Sequence, residues 1–288
     1  MKNILITGAN SYVGTSFESY LKNFKDEYSV DTVDMIDETW KNKDFSKYDT
    51  VFHVAGIAHV STDPKMEDLY YKVNRDLTIE TAKKAKKDGV KQFIFMSSII
   101  VYGDSSHINK KRVIYKNTIP TPSNFYGKSK LEAEEGIFQL EDKNFKVVVI
   151  RPPMIFGKGS KGNYQKLSKI ARNLPVFPDI KNERSMLYID NLCEFIRLMV
   201  VNSESGIFLP QNKEYVKTSE LVKLIAKAHN KNIKLTKMFN LVLKFMARFT
   251  GTVDKAFGNL VYDKSVSQYK IDYRVKSLNE AVKATEIV

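Results

Sequence analysis

Residues 3–14 read Asn3-Ile4-Leu5-Ile6-Thr7-Gly8-Ala9-Asn10-Ser11-Tyr12-Val13-Gly14. A short apolar run gives way to a glycine turn, and Val13 opens a stretch of helical period to Phe24. Glycines at a strand-to-helix turn let the backbone approach a pyrophosphate, which then sits on the free N–H groups of the helix N-terminus. Asp34 ends the next apolar run, twenty residues past Gly14, where a carboxylate meets the hydroxyls of an adenosine ribose. A carboxylate there repels a 2′-phosphate, and Met35 rather than an Arg follows it, which favours NAD over NADP. Asp31 is the rival for that place.

Outward from this turn, short apolar runs recur at Val30–Val33, Val51–Val54, Phe93–Met96 and Val147–Ile150. Helix-like stretches lie between them, notably Leu69–Asp88 and Ser129–Glu141. This alternation predicts an α/β fold with a parallel sheet covered on both faces, its ligands at the C-terminal strand ends. After Arg151 the rhythm breaks into Gly-, Lys- and Asn-rich loops and separate helices at Tyr164–Arg172, Asp190–Val201, Ser219–Ala228 and Lys237–Phe249. The expected division is a nucleotide-binding domain of residues 1–157 plus about 186–210, and a small discontinuous α-rich cap of about 158–185 plus 211–288.

The chain has 288 residues, 43% of them hydrophobic and 27% charged, which suits a folded globular protein. One cysteine, Cys193, excludes an internal disulfide framework and Cys-rich metal sites, and fits a cytoplasmic setting. His53, His59, His107 and His229 show no metal-ligand spacing, so no metal is expected. The N-terminal apolar run is too short for a signal peptide, and no apolar run is long enough to span a bilayer. The net charge of +13 leaves nucleic acid, anionic lipid or a phosphorylated small molecule open as partners. Lys83-Lys84-Ala85-Lys86-Lys87 reads as the solvated face of a helix, and no nucleic-acid recognition motif is present.

Tyr126 and Lys130 are spaced i, i+4, on one face of a helix, where an ammonium can stabilise a phenolate. Of 15 tyrosines, this is the only one followed at that spacing by a lysine. Ser97 and Ser98 follow the Phe93–Met96 strand, and a hydroxyl at such a strand end faces the ligand crevice. Ser98 can therefore orient a substrate oxygen beside Tyr126.

The ordered set of Gly8–Gly14, Asp34, His53-Val54-Ala55-Gly56, Asn74, Ser97-Ser98 with Val101-Tyr102-Gly103, Tyr126–Lys130 and Arg151-Pro152-Pro153 resembles the extended short-chain dehydrogenase/reductases, and within them the nucleotide-sugar epimerase/dehydratase group. The resemblance implies a Rossmann-type doubly wound sheet and NAD as cofactor. It implies that Tyr126 is the acid/base, that Lys130 holds the nicotinamide ribose and lowers the Tyr126 pKa, and that Ser98 contacts the reacting oxygen. It places NAD against Gly8, Asn10, Ser11, Tyr12, Val13 and Gly14, with Asp44 and Phe45 near adenine. Ala55, Gly56, Asn74, Ser97 and Pro153 complete the cofactor contacts. Ser11 departs from the family's middle glycine. A homodimer and a role in cell-surface polysaccharide synthesis are also implied.

Ile99 and Ile100 stand where family dehydratases carry an Asp-Glu pair, so elimination is disfavoured. Two readings stay open: C4 epimerisation of a UDP-hexose or UDP-N-acetylhexosamine through a 4-keto intermediate, and reduction of a 4-keto-sugar nucleotide. A non-catalytic NAD-binding regulator is the alternative of another class, but Ser98, Tyr126 and Lys130 are all present. Tyr102, Asn163, Arg184 and Lys255 join Ser98 as candidate substrate contacts. Asn163 closes a basic glycine loop from Gly157, while Arg184 resembles the family's diphosphate-binding arginine. In Lys237–Phe249, Lys237, Asn240, Lys244 and Arg248 form one polar stripe on an otherwise apolar helix. That pattern predicts a cap helix packed on the core, with peripheral membrane contact and a polyprenyl-diphosphate-linked substrate as the alternative.

Overall fold

The computed structural model describes residues 1–24, 26–57, 63–106, 110–246 and 251–287; for residues 242, 244, 246, 251, 252 and 255 it describes the backbone only. The strands in chain order are β1 (Lys2–Thr7), β2 (Tyr28–Val33), β3 (Thr50–His53), β4 (Gln92–Met96), β5 (Val113–Ile114) and β6 (Lys146–Ile150). They continue with β7 (Met154–Phe156), β8 (Val176–Pro178), β9 (Met186–Tyr188), β10 (Gly206–Phe208), β11 (Lys234–Thr236) and β12 (Val261–Tyr262). The α-helices are α1 (Tyr12–Leu21), α2 (Glu67–Tyr70), α3 (Leu77–Lys87), α4 (Phe125–Phe138) and α5 (Asn163–Asn173). After them come α6 (Ile189–Val201), α7 (Thr218–Ala228), α8 (Asn240–Met246), α9 (Gly251–Phe257) and α10 (Leu278–Glu286).

Six strands form one sheet in the order β10-β6-β4-β3-β1-β2, and every neighbouring pair is parallel. The expected Rossmann-type sheet is what the chain builds. Every residue of β3 and β4 is buried, as strands covered on both faces must be, and their sequences are apolar but for Thr50, His53 and Gln92, whose side chains are hydrogen-bonded. Edge strand β2 has no buried residue, its positions being half-buried or exposed. Trp40, Phe45, Phe93, Phe95 and Phe145 anchor the core on one face of the sheet.

Register brings the functional turns level. Thr7 pairs with both Val33 and His53, His53 with Phe95, and Phe95 with Val149. The glycine turn after β1, Asp34 after β2, Ala55 and Gly56 after β3, and Ser97 and Ser98 after β4 therefore leave the sheet at one edge.

The chain divides into two compact units, residues 1–103, 119–152 and 192–210, and residues 104–118, 153–191 and 211–288. Residues 104–118, 153–157 and 186–191 thus lie outside the first unit, unlike in the expected division. The second unit carries three two-stranded parallel ladders, β11-β8, β12-β5 and β7-β9, with α7 packed on α5 and α10.

Two helices differ from expectation. The stretch read as one helix over Leu69–Asp88 contains a π-helical segment, Tyr71–Asp76, between α2 and α3. Among the described residues, the stretch Lys237–Phe249 contributes α8, in which Leu241 and Phe245 are 83% and 60% exposed while Leu243 is half-buried. The expected packing is therefore partial, and Asn240 of the polar stripe turns inward and donates to the Asp179 carbonyl at 2.9 Å. Lys244 and Arg248 lie outside the described side chains. Among the described residues, no helix is long and apolar enough to cross a membrane.

Candidate active site

The glycine turn is tight. The N–H groups of Gly8 and Ala9 both donate to the Val33 carbonyl, at 2.9 and 3.1 Å, which joins the turn to the strand that ends beside Asp34. Gly8 has φ +100°, and a Cβ there would stand 2.7 Å from the Ala55 nitrogen. Asn10 takes a left-handed φ of 65°, which an asparagine tolerates. Ser11 is the N-cap of α1, its Oγ accepting from the Gly14 N–H at 3.1 Å. The departure from the family's glycine thus adds a helix cap. Ser11→Ala is expected to cost about 1 kcal/mol and Ser11→Gly a few tenths, read from denaturant melts. Tyr12 and Val13 begin α1, Val13 buried and Tyr12 half-buried. A cradle this close, with its helix dipole aimed at the turn, fits a pyrophosphate.

Asp31 is occupied: its carboxylate accepts from the Tyr48 hydroxyl at 2.5 Å and from Lys47 Nζ at 2.9 Å. Those contacts hold its carboxyl below the usual range, the Tyr48 hydroxyl contributing most. Asp34 stays exposed, one oxygen accepting from the Ile36 N–H at 2.9 Å. The two adenine-side positions differ in exposure. Phe45 is fully buried in the sheet core, with Lys84 Nζ 4.8 Å from its ring centroid, so its ring is withdrawn from any ligand. Asp44 is exposed but closes its own turn, accepting from the Ser46 N–H at 2.8 Å and hydroxyl at 2.9 Å.

Helix α4 starts where Asn124 caps it, its Oδ1 accepting from the Gly127 N–H at 2.9 Å. This puts Tyr126 in the first turn and Lys130 one turn on, both buried. Ser98 is extended at the end of β4, its Oγ accepting from the Ile100 N–H at 3.3 Å and standing near enough to act on the Tyr126 phenol. Burial pushes the phenol up to about 12, while the Ser98 contact pulls it down and Tyr70, edge-on with ring centroids 5.9 Å apart, raises it. Burial brings the Lys130 ammonium down to about 8, with Glu134 opposing. Lys130 Nζ donates to the Met96 carbonyl at 3.0 Å and lies 4.6 Å from the Phe95 ring centroid. Burial is the largest influence on the phenol, and Lys130 is not among the groups that lower it. At neutral pH Tyr126 rests as a proton donor.

Asn74, from the π segment, is fully buried; its Oδ1 accepts from the Ile57 N–H at 2.8 Å and its Nδ2 donates to Ser129 Oγ at 3.3 Å. A Cβ on Gly56 would stand 2.8 Å from Asn74 Oδ1 and 3.1 Å from Lys130 Nζ, so this glycine keeps the crevice floor open. Ala55 is buried against the glycine turn. His53 is a core residue, bonded to Thr7 at 2.7 Å and Thr78 at 3.1 Å, and burial drops its pKa to about 3.

The sequence does not assign Glu134 a role, although 126, 130 and 134 repeat the same i, i+4 spacing. Glu134 is buried, takes a forked contact from Arg151 with Nε at 3.1 Å from both oxygens, and accepts from the Ser97 hydroxyl. The Ser97 hydroxyl is thus tied to the scaffold through Glu134. Tyr102 is buried, and its hydroxyl accepts from Arg151 Nη1 at 2.7 Å.

Pro153 is buried and begins the second segment of the second unit. In that unit Asn163 is exposed at the start of α5, after Gly162 with φ +103°. Arg184 is half-buried and bridges Val216 and Leu260. Its Nη1 lies 3.5 Å from the Ala256 carbonyl, next in chain to Lys255. The Lys255 side chain lies outside the described residues, as do His59 and His107. Among the described residues, no group of three or more His, Cys, Asp or Glu side chains could hold a metal.

A family model described as the NAD dependent epimerase/dehydratase family matches residues 4–209. The UDP-glucose 4-epimerase of Vibrio cholerae is 30% identical over 312 residues, covering 99% of this chain and 94% of that protein. The N-acetyl-alpha-D-glucosaminyl-diphospho-ditrans,octacis-undecaprenol 4-epimerase of Escherichia coli O157:H7 is 30% identical over 250 residues, covering 80% of this chain and 73% of that protein. A crystal structure of UDP-glucuronic acid 4-epimerase from Bacillus cereus in complex with NAD superposes with a TM-score of 0.73 at 18% identity, over 99% of this chain and 97% of that one, a likeness of fold. The chain belongs to the NAD-dependent epimerase/dehydratase family. It is an enzyme of that family, and its cofactor is NAD.

Proposed function

We propose that the chain inverts C4 of a hexose or N-acetylhexosamine carried on UDP, through a 4-keto intermediate, for cell-surface polysaccharide synthesis. The observation that carries this reading is Tyr126 and Lys130 buried one helical turn apart, with Ser98 near enough to act on the phenol, in a chain that matches a UDP-glucose 4-epimerase over nearly its whole length. In the first unit Gly8, Asn10, Ser11, Tyr12, Val13 and Gly14 hold the pyrophosphate of NAD, and Asp34 its adenosine ribose. Ala55, Gly56 and Asn74 line the crevice, and Lys130 holds the nicotinamide ribose. Bound NAD supplies the uptake and return of a hydride. Ser98 donates to the C4 oxygen. Tyr126 takes the C4 hydroxyl proton as phenolate and returns it to the C4 oxygen after the keto sugar has presented its opposite face. Asn163, Arg184 and Lys255 of the second unit serve the diphosphate, Arg184 as a fork.

The test incubates purified protein with UDP-glucose, UDP-N-acetylglucosamine and a 4-keto-sugar nucleotide, following sugar products and NADH absorbance together. C4-inverted product with no net NADH change is expected. Stoichiometric NADH loss with the ketone alone would make the enzyme a reductase. A second reading, a sugar on polyprenyl diphosphate, is favoured by the relative that the E. coli name assigns to such a carrier; turnover of a detergent-solubilised polyprenyl-diphosphate sugar tests it. A homodimer belongs to the same proposal, and light scattering at the 33.1 kDa monomer mass would remove it.

A further inference from the structure

Helix α8 presents Leu241 and Phe245, one helical turn apart and 83% and 60% exposed, outward, while Leu243 is half-buried. Met238, in the turn before the helix, is 75% exposed. Single exposed apolar residues are ordinary, whereas a stripe of them is a contact surface. The helix is held in this attitude from below: Asn240 donates to the Asp179 carbonyl at 2.9 Å, and the Met238 N–H donates to Thr236 Oγ1 at 3.2 Å, at the end of β11. Partner strand β8 adds exposed Val176, opposite Lys234 in the ladder, and exposed Leu174 precedes it.

Positive charge is part of the same unit and of these same elements. Lys231, Lys234 and Lys237, at three-residue intervals along the β11 segment, are all exposed. Lys231 Nζ reaches the Arg172 carbonyl, and Lys231, Lys169 and Arg172 line an open depression of about 460 Å³. Apolar side chains beside a cluster of cations are complementary to acyl chains beneath anionic headgroups.

We propose that this face, α8 with the basic β11 segment, docks in the plane of an anionic lipid bilayer. Its purpose rests on the polyprenyl-carrier reading above, since a lipid-linked sugar is met only at the membrane, but the binding itself stands on the surface. A second copy of the chain on this face is the competing occupant.

The full-length protein is floated with phosphatidylcholine vesicles and with vesicles containing 30 mol% phosphatidylglycerol, alongside the double variant Leu241→Ser/Phe245→Ser and the charge variant Lys231→Gln/Lys234→Gln. Binding to the anionic vesicles is expected, at least tenfold weaker without phosphatidylglycerol. Each variant is expected to lose at least tenfold in vesicle affinity while keeping its circular-dichroism melt and its turnover of a soluble nucleotide sugar. No binding to anionic vesicles, binding that both variants retain, or a dimer in solution that Leu241→Ser/Phe245→Ser dissociates would each overturn the proposal. A vesicle-bound enzyme that turns over UDP-sugars and refuses the polyprenyl-linked sugar removes the carrier reading and leaves the docking in place. Turnover of the solubilised lipid-linked sugar without vesicle binding does the reverse.

Discussion

Tyr126→Phe is expected to lower turnover by roughly 10²–10⁴-fold, the range for losing a positioned general acid/base. The fold should survive it. The ring stays in its buried place against Tyr70, and only the hydroxyl is lost. NAD content and melting temperature are therefore expected to remain close to wild type, and equal turnover of the variant would overturn the assignment. The wild-type enzyme should show the complementary pH signature. With the phenol pushed up to about 12 by burial, its proton-donating form dominates at neutral pH. The step that oxidises the sugar needs phenolate, so its rate is expected to climb with pH, while reduction of an added 4-keto sugar holds level over the same interval.

Lys130→Met is expected to abolish measurable turnover and yet stabilise the protein at pH 7. Burial depresses this lysine from its ordinary value to about 8, so the folded state binds its proton less tightly than the unfolded chain does. A depressed pKa means that stability rises with pH between about 8 and 10.5, and the penalty is fully present below that interval. The shift corresponds to about 3 kcal/mol, against which the bond from Nζ to the Met96 carbonyl contributes about 1 kcal/mol. Replacing the ammonium by a thioether of similar length is then expected to raise stability by about 1–2 kcal/mol at pH 7, with the gain fading toward pH 10.5. Paired denaturant melts at the two pH values check this. A variant less stable than wild type at pH 7 would show that Glu134 and the Met96 carbonyl outweigh the burial. A gain in stability on losing the ammonium is the usual exchange between a functional charge and its scaffold.

Much of the nucleotide-binding half can be read from its letters because buried parallel strands must be short and apolar throughout, and Ile4–Ile6, Phe93–Met96 and Val147–Ile150 are. Tyr126 and Lys130 are legible for a related reason, since helical spacing fixes which side chains share a face. Direction is harder to read than position. Phe45, Ser97 and Tyr102 stand where related chains meet ligands, yet the Phe45 ring enters the sheet core and the hydroxyls of Ser97 and Tyr102 turn to Glu134 and Arg151. A motif specifies where the backbone passes; the rotamer is set by partners distant in sequence. Asp31 and Asp34 are equally acidic on paper, and Tyr48 and Lys47 separate them by occupying the first. The polar stripe around Asn240 misleads for the same reason, because its inward partner is a carbonyl sixty-one residues away.

The π segment at Tyr71–Asp76 carries a consequence for comparison with other chains. A wider turn shifts the phase between the helices on its two sides, so Tyr70 and Leu77 cannot be placed on one continuous helical wheel. Removing a single residue there would let the helix run regularly from α2 into α3 and swing Asn74 by about a quarter turn or more, away from Ile57 and Ser129. An alignment that closes this stretch without allowing for the extra residue will pair the wrong positions on one side of it. The asparagine is the reference mark by which such an alignment can be set right.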